Sequence, residues 1–344
     1  MDIQDKGVAP LAPPRDTTAD AYVPLRPVNV CGRTLNPGPV FDTYWRFAAE
    51  RQAIYEARLQ GTPAPWTSDP ILLNYRFTNC YRATDRVSQF LISRVAYGGP
   101  QDVRNLIFRV LLFKLFNCIR TWEILEAEIG EISWQSFDVD RYDAVLHRAL
   151  ASKSTIYSSA YVIPSPSLGA RRKHTNHLRL LSMMFDDHVD DRVVEAGSML
   201  EAFRVLRRYP SIGDFIGYQL LIDINYTCAL NFCENEYIVA GPGARDGIRK
   251  CFGPAADGLE SDIIAYMTDT QEAHFSDRQL TFNGLRGRQL HLIDCQNLFC
   301  EVDKYARMAH PGILGISGRT RIKRQFRPAA APVTDWFPPK WGLN

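Results

Sequence analysis

The segment from Asp102 to Leu125 constrains the fold more than any other part of this 344-residue chain. Its sequence, DVRNLIFRVLLFKLFNCIRTWEIL, offers Asp102 as an N-cap and then places apolar residues on nearly every side of a helix. A helix that is apolar all round is stable only when it is buried. We therefore expect a central buried helix here.

Helical periodicity continues along the chain to about residue 310, so the sequence predicts a mainly α fold. Helices are predicted for the stretches 41–61, 71–99, 140–150, 170–185 and 292–310. The segment TIYSSAYVIPSP, residues 155–166, contains too much Pro and Ser for a helix and is predicted to be extended beside a pocket or interface. Three regions follow: a Pro-rich N-terminal arm over 1–40, a helical catalytic domain over 41–310 and a basic C-terminal extension over 311–344.

Charge and composition limit the functional classes to which this protein could belong. The net charge is only +2, but 32 of the 40 basic residues are Arg, which favours bidentate contacts to phosphate, although a GC-rich genome gives the same bias. No apolar run reaches the roughly 18 residues of a membrane span, and no signal peptide is recognisable, so we expect a cytoplasmic protein. The eight Cys form no CxxC pair, and the His and Asp residues near 174–191 match no standard site, so no metal or other cofactor is predicted.

A helical hairpin is predicted over residues 197–225. The sequence MLEAFRVLRRYPSIGDFIGYQLLIDI has two helices joined by a short turn that ends in Gly213. Backbone amides at the start of the second helix could bind a DNA phosphate there, with Ser211, Ile212 and Gly213 as the contacting turn. The alternative is an ordinary helix pair with a glycine turn.

The hairpin resembles the helix-hairpin-helix of DNA glycosylases. The whole chain from Phe41 onward resembles the α-glutamyl/putrescinyl-thymine pyrophosphorylase-like proteins, also described as the helical domain of 5-hydroxymethyluracil DNA kinases. The resemblance rests on the blocks YRFTNCYRATDRVSQFLI, IYSSAYVIPSP, VAGPGARDGIRKCF, LIDCQNLFCEVDKYAR, SGRTRIKRQFRP and PPKWGLN. It implies a two-lobed, glycosylase-like helical fold with a central cleft, and action on modified pyrimidines in double-stranded DNA.

The glycosylase resemblance also implies a catalytic Asp shortly after the hairpin, but this chain has Val239-Ala240 at that position. Asp246 is the preferred replacement, because it opens the basic helix GPGARDGIRK, and Glu236 and Glu234 are the next candidates. Asp246 could instead only stabilise a helix dipole. No Lys follows the hairpin glycine, so lyase chemistry through a Schiff base is not expected.

Two polar sets could line a pocket for a flipped base. One lies within residues 76–89, where Arg82, Asp85 and Arg86 accompany other polar groups, and the other lies on the predicted helix 292–310. The latter set could also be a solvated ion-pair face, and each aromatic residue taken singly could belong to the core. The predicted pocket residues are Asn79, Tyr81, Gln89, Trp122, Tyr157, Asp294, Gln296 and Asn297.

Three basic clusters are predicted to contact DNA phosphates, unless they are scattered solvated charge. They comprise Arg171, Arg172 and Lys173; Arg245, Arg249 and Lys250; and Arg319, Arg321 and Lys323.

The leading hypothesis is a monofunctional DNA glycosylase that flips a phage-type modified pyrimidine out of DNA and cleaves its N-glycosidic bond, in the context of phage defence. The first alternative is a transferase in which an amine displaces pyrophosphate from a 5-pyrophosphoryloxymethyl pyrimidine, and the second is a non-catalytic binder of modified DNA. No GxxxxGK[ST] sequence occurs, so phosphorylation by a P-loop is not expected. No obligate protein partner is inferred.

Overall fold

The computed structural model describes residues 24–159, 161–327 and 334–344, and these residues form a mainly helical protein, as predicted. The described residues contain fourteen α-helices and one two-stranded antiparallel sheet. The helices are α1 Pro39–Leu59, α2 Pro70–Asn74, α3 Arg86–Phe90, α4 Val103–Phe116, α5 Ile119–Ile129, α6 Val139–Ala151, α7 Lys173–Asp186, α8 Val189–Val194, α9 Met199–Arg207, α10 Asp214–Asn225, α11 Pro242–Phe252, α12 Glu260–Asp269, α13 Gln271–Asp277 and α14 Leu292–Ala309. The strands are β1 Val28–Val30 and β2 Arg33–Leu35.

Helix α4 is the buried central helix that the sequence predicts. The Asp102 side chain caps it by accepting from the amide of Asn105 at 3.1 Å, and nearly all residues from Asn105 onward are buried. The predicted helix is, however, two helices. Asn117 has a left-handed backbone (φ 49°) that ends α4, and α5 begins two residues later.

The helices pack in two groups. Helices α4 to α10 pack on one another, and α1 packs with α11, α12, α13 and α14. The short turn at 82–84 contacts both α3 and α14, so it lies between the groups. The second group is therefore built from both ends of the chain, with the first inserted between them.

The region 71–99, predicted as helical, is broken between α2 and α3. Three of its backbone amides donate to carboxylates instead of to helix carbonyls: Thr78 to Glu301 at 2.9 Å, Asn79 to Asp85 at 3.0 Å and Arg82 to Asp294 at 2.9 Å. A turn with these side-chain partners can remain irregular inside the protein, because its amides are satisfied. Beyond α3, Leu91–Ala96 continues as a π-helical turn.

Helices α11 and α14 approach so closely that glycine is required at their contact. A Cβ atom at Gly243 would overlap the Cys300 sulfur, and one at Gly247 would overlap the carbonyl oxygen of Phe299. This contact fixes the start of α11, at Gly241, beside the middle of α14.

The two ends of the chain lie on the helical body. Within the predicted arm, Leu35 of the β1–β2 hairpin is buried and Arg33 donates to the carbonyls of Ala255 and Asp257, both at 3.1 Å. Residues 1–23 of the arm and 328–333 of the C-terminal extension lie outside the described residues. The segment 155–166 is non-helical in its described residues, as predicted. No helix in the described ranges is long and apolar enough to cross a membrane.

Candidate functional site

A buried charge centre, formed by Arg82, Lys114 and Asp223, lies where the two helix groups meet. Asp223 on α10 binds Arg82 Nη1 at 2.7 Å and Lys114 Nζ on α4 at 3.0 Å, and all three side chains are almost fully buried. Burial opposes ionisation of Asp223, but the two cations outweigh it and hold its pKa below the ordinary value. Two positive groups thus share one negative group.

Polar groups of α10 extend the charge centre. The Gln219 side-chain oxygen accepts from Arg82 Nε at 3.0 Å, and the Tyr226 hydroxyl lies 3.3 Å from Arg82 Nη1. The Gln219 amide nitrogen and the hydroxyl of Tyr218 are both buried without a hydrogen-bond partner among the described residues. The centre therefore holds hydrogen-bonding capacity that the fold itself does not use.

The Tyr161 side chain reaches toward this centre from the segment 155–166. Lys114 Nζ lies 4.7 Å from the Tyr161 ring centroid, and the Phe215 ring lies nearly parallel to it, with centroids 5.9 Å apart. Burial raises the Tyr161 pKa to about 12, and the charge of Arg82 acts on the same hydroxyl. We call the space that this ring fills the Tyr161 pocket, bordered by Lys114 and Phe215 and close to Arg82.

Two carboxyl groups beside the charge centre have raised pKa values. Burial raises the pKa of Asp85 to about 7, although one of its oxygens accepts from the Asn79 amide, and Asp85 is close enough to influence Tyr161. Burial likewise raises the pKa of Asp294 to about 6. A partly buried carboxyl group with a pKa near 7 can gain or lose a proton at neutral pH.

The three carboxylates predicted to be catalytic all serve local structure. Asp246 is buried, and both its oxygens accept from Ser317, from the amide at 2.7 Å and from the hydroxyl. Glu236 is exposed and accepts from the Met199 amide at 3.0 Å, at the start of α9. Glu234 is buried and pairs with Arg288 at 3.0 Å.

Burial opposes the ionisation of Glu234, but its hydrogen bond to His291 and the charge of Arg288 hold its pKa below the ordinary value. None of the three carboxylates borders the Tyr161 pocket. Both oxygens of Asp246 and one oxygen each of Glu234 and Glu236 take part in the contacts just described.

Four of the predicted pocket residues lie together near the junction of the helix groups. Gln296 on α14 accepts from the Gly241 amide at 3.1 Å, and Asn297 donates to the carbonyl of Asn79 at 2.9 Å. Asp294 accepts from the Arg82 amide one turn earlier on the same helix. Asp294 and Asn297 thus hold the turn 78–85, which carries Arg82, on α14, whereas Gln296 holds the start of α11.

The other four predicted pocket residues lie elsewhere. Trp122 is buried in the core against Phe113, and Tyr157 stacks on Phe116 while its hydroxyl bonds His177. Tyr81 donates to the Arg288 carbonyl at 2.6 Å. Gln89 accepts from the amide of Trp336 at 2.8 Å, so it fastens the C-terminal segment rather than a ligand.

The predicted hairpin is present as α9, a turn and α10. Ile212 is buried and Ser211 has a left-handed backbone (φ 65°), whereas Gly213 has an ordinary φ of −78° and faces open space. Asp214 stands in the first turn of α10, where it pairs with Arg207. A phosphate at this helix start would meet the Asp214 carboxylate, so the predicted DNA contact here stays a prediction with an electrostatic cost.

The predicted DNA-binding cations divide into paired and free groups. Lys250 is buried and paired with Asp303 at 3.0 Å, so it cannot reach DNA. Three others are engaged within the protein: Arg249 with Asp257 at 2.9 Å, Arg172 with Asp143 at 3.6 Å and Lys173 over the Tyr157 ring at 4.5 Å. Arg172 is exposed despite its partner, and the other exposed members are Arg171, Arg245, Arg319, Arg321 and Lys323.

The sequence prediction included Arg82 in a polar set for a base pocket, but it did not identify Lys114, Asp223, Phe215 or Tyr161 as functional groups. The sequence does contain a pattern that indicates a polar site on this helix. Gln219 and Asp223 are four residues apart within the apolar helix sequence GYQLLIDINY. Lys114 likewise interrupts the apolar run LLFKLF. A charged residue at a fully apolar helix position has to find a partner or a ligand.

Comparisons with known proteins find similarity over most of the chain. The profile of a family described as "5-hmdU DNA kinase, helical domain" matches residues 38–315. A "5-hmdU DNA kinase" of Bacillus phage SP10 is 26% identical in an alignment of 310 positions that covers 84% of this chain and 47% of the relative. The chain thus spans about half the length of the curated relative that it matches. No solved structure matches it, so the likeness to glycosylases stays a prediction. Because the family profile covers most of the chain, the chain belongs to the family of the helical domain of 5-hmdU DNA kinases.

Proposed function

We propose that this protein is an enzyme that binds a 5-substituted deoxyuridine flipped out of double-stranded DNA and displaces a phosphate or pyrophosphate group from its 5-methylene carbon. The name of the relative supports this choice of base, since a 5-hmdU DNA kinase acts on 5-hmdU in DNA. The product of such a kinase carries a phosphate on the 5-hydroxymethyl group. We infer that this chain acts on that phosphorylated form.

The excess of positive charge at the charge centre carries this proposal. Arg82 and Lys114 share the single carboxylate of Asp223, so one positive charge is left over at a buried site. A buried, uncompensated cation is costly, and an anionic leaving group would relieve that cost as it departs.

The same charge distribution disfavours excision of the base. Cleavage of an N-glycosidic bond builds positive charge on the deoxyribose and needs a free carboxylate beside it. Asp246 accepts two hydrogen bonds from Ser317, Glu236 caps the start of α9, and the carboxyl group nearest the Tyr161 pocket, Asp85, has a raised pKa. Group transfer, in which negative charge develops, therefore fits the site better than hydrolysis.

The space that the Tyr161 ring fills is one in which a flipped pyrimidine ring would find stacking and charged partners. It already holds one flat ring, parallel to Phe215 and beneath an ammonium group. A pyrimidine in that position would stack on Phe215 and present its 5-substituent to Lys114 and Arg82. The Gln219 amide nitrogen, which has no described partner, could then donate to a carbonyl or phosphate oxygen.

Asp85 supplies the proton acceptor for the transfer. An amine nucleophile forms its new bond to the 5-methylene carbon as the carbon–oxygen bond breaks, and the electron pair leaves with the phosphate. The proton of the amine passes to Asp85, whose raised pKa matches that of a base working near neutrality. Arg82 and Lys114 stabilise the charge on the departing group.

The test uses duplexes that carry 5-hmdU, its phosphate ester or its pyrophosphate ester, incubated with glutamate or putrescine as the amine. We expect release of phosphate or pyrophosphate and a new amine adduct, measured by mass spectrometry of the digested DNA. Abasic sites without an adduct would refute the transfer reaction and restore the excision hypothesis. Binding without any product would favour a non-catalytic reader of modified DNA.

Lys114→Met tests the role of the charge centre in that assay. The substitution removes the excess positive charge, and Asp223 keeps Arg82 as its partner. We expect turnover to fall by at least about 100-fold. The matched control is Arg109→Met, which removes another buried cation of α4 that donates only to the carbonyls of Val95, Ala96 and Pro100. Equal losses in both variants, compared as folded proteins, would mean that Lys114 acts through stability alone.

A further inference from the structure

A groove lies between the turn after α2 and the basic C-terminal extension. Tyr75 and Gln325 form an antiparallel bridge, and the Arg76 amide donates to the Arg324 carbonyl at 3.0 Å. The groove has a volume of about 490 Å³. Its lining residues are Tyr75, Arg76, Ile322, Lys323, Arg324, Gln325 and Arg327.

The groove is strongly cationic. Arg76, Lys323, Arg324 and Arg327 are all exposed, and no carboxylate of the described chain lies within ion-pairing distance of any of them. Three of the four are arginines, whose planar guanidinium groups bind phosphate through two parallel hydrogen bonds. An extended anion such as a DNA backbone satisfies all four cations at once.

One of these cations is connected to the Tyr161 pocket. Arg324 Nη2 donates to the hydroxyl of Ser159, which stands two residues before Tyr161. Tyr161 itself has a left-handed backbone (φ 53°), which is unfavourable for a residue other than glycine. The preceding residues are held by the Tyr157 hydroxyl on His177 and by the Ser158 amide on the Phe116 carbonyl, and the Arg324 contact with Ser159 is the described hydrogen bond nearest to Tyr161 on this side of it.

We infer that DNA phosphates bind the groove formed by residues 75–76 and 322–327, and that their capture of Arg324 releases Ser159 and draws Tyr161 out of its pocket. The second half of this inference rests on the proposed function, in which a flipped base takes the place of the Tyr161 ring. A phosphate competes well for Arg324, because a hydrogen bond between two charged groups is stronger than one to a neutral hydroxyl. The pocket would then open only on a protein that is already bound to DNA.

Hydrogen–deuterium exchange with mass spectrometry tests the release directly. We expect a saturating, unmodified duplex to raise the exchange rate of amides in residues 157–163 of the wild-type protein by several-fold. Arg324→Ala should show this faster exchange without DNA and no further rise with DNA. Slower or unchanged exchange in the wild-type complex would overturn the inference, as would normal protection in free Arg324→Ala.

Lys323→Ala is the matched control in the same groove. Its affinity for the duplex, measured by fluorescence anisotropy, should fall several-fold with a smaller salt dependence, while its segment 157–163 exchanges like that of the wild type without DNA. An unchanged affinity in both Lys323→Ala and Arg324→Ala would remove the groove as the DNA site. Since the duplex is unmodified and no turnover is needed, failure of the proposed transfer reaction would leave these results interpretable.

Discussion

Lys114 on α4 and Asp223 on α10 form a 3.0 Å ion pair inside the protein, and Arg82 binds the other oxygen of the same carboxylate. The pair joins the central helix to the second helix of the hairpin. It also places the excess charge of the site on the most rigid elements of the fold, where a reacting group is held in a fixed position.

Removing the shared carboxylate should cost more stability than removing one of the cations. Asp223→Asn leaves Arg82 and Lys114 buried beside each other without a counter-charge, and we expect it to lower the free energy of unfolding by about 3 to 5 kcal/mol. Lys114→Met leaves one intact pair and should cost clearly less. Urea unfolding of both variants measures the difference, and equal losses would mean that Asp223 does not neutralise both cations.

Asp85→Asn should stabilise the protein at pH 8 while abolishing turnover. The folded-state pKa of Asp85, about 7, is raised above the ordinary 3.8, so its stabilising contribution is complete below about pH 4 and is lost as the pH rises through 7. Asn does not titrate, and its side-chain oxygen can still accept from the Asn79 amide. We expect a gain of about 2 kcal/mol at pH 8 and little change at pH 4 in urea unfolding.

The exposed Asp140 is the control for Asp85, since Asp140→Asn should change stability little at either pH. An Asp85→Asn variant that keeps full turnover would remove Asp85 as the proton acceptor.

Asp246→Asn separates a structural role from a catalytic one. The amide can accept one hydrogen bond from Ser317 but loses the charge that strengthens both. We expect a loss of about 1 to 2 kcal/mol in stability and a normal turnover rate for the folded variant. Lost turnover at unchanged stability would instead return the catalytic role to Asp246.

Acid should destabilise the protein through the buried His177 and the partly buried His274. Burial lowers the pKa of His177 and of His274 to about 4, from an ordinary value of 6.5. The unfolded chain therefore binds protons first, and stability is lost as the pH falls from about 6.5 to 4. His274→Gln should reduce this loss by about 1 to 3 kcal/mol in urea unfolding at pH 4.5 relative to pH 7.5.

The exposed His188 provides the comparison, because His188→Gln should leave the pH dependence as in the wild type. An identical slope in His274→Gln would show that His274 is not protonated preferentially on unfolding.

Gly247→Ala should lower the stability of the protein more than most other additions of one methyl group at the contact between α11 and α14. The new Cβ would overlap the Phe299 carbonyl oxygen, so the two helices would have to separate, at a cost of about 2 kcal/mol or more. Gly312→Ala adds the same methyl group in open space and should be close to neutral. Thermal unfolding of both variants checks the contrast, which would be absent if α11 could shift freely.

The helices were predictable because their signals are local. The apolar surface of α4, the Asp102 cap and the Gly-Pro-Gly start of α11 each act within one or two turns of the chain. The break at 75–85 was not predictable, since its amides bond to Asp294 and Glu301, more than 200 residues further along.

The site was predictable only in part for the same reason. Asp294, Gln296 and Asn297 were recognisable as an unusual polar row, but their contacts depend on tertiary packing, which brings the turn 78–85 to Asp294 and Asn297 and the Gly241 amide to Gln296. Asp246 was attractive from its place at a helix start, and only the fold brings Ser317 against it. A sequence pattern identifies a polar residue but does not reveal which hydrogen-bond partner that residue has in the folded protein.

The long-range contacts of Lys340 affect the order in which parts of the protein fold. Its ammonium group donates to the carbonyls of Asn225, Thr227 and Leu230 at the end of α10, across 110 or more residues of intervening chain. Individual helices form within microseconds, whereas contacts between distant positions wait for a large loop to close. We expect α10 to gain its final anchorage, and the charge centre its permanent geometry, in one of the last steps of folding.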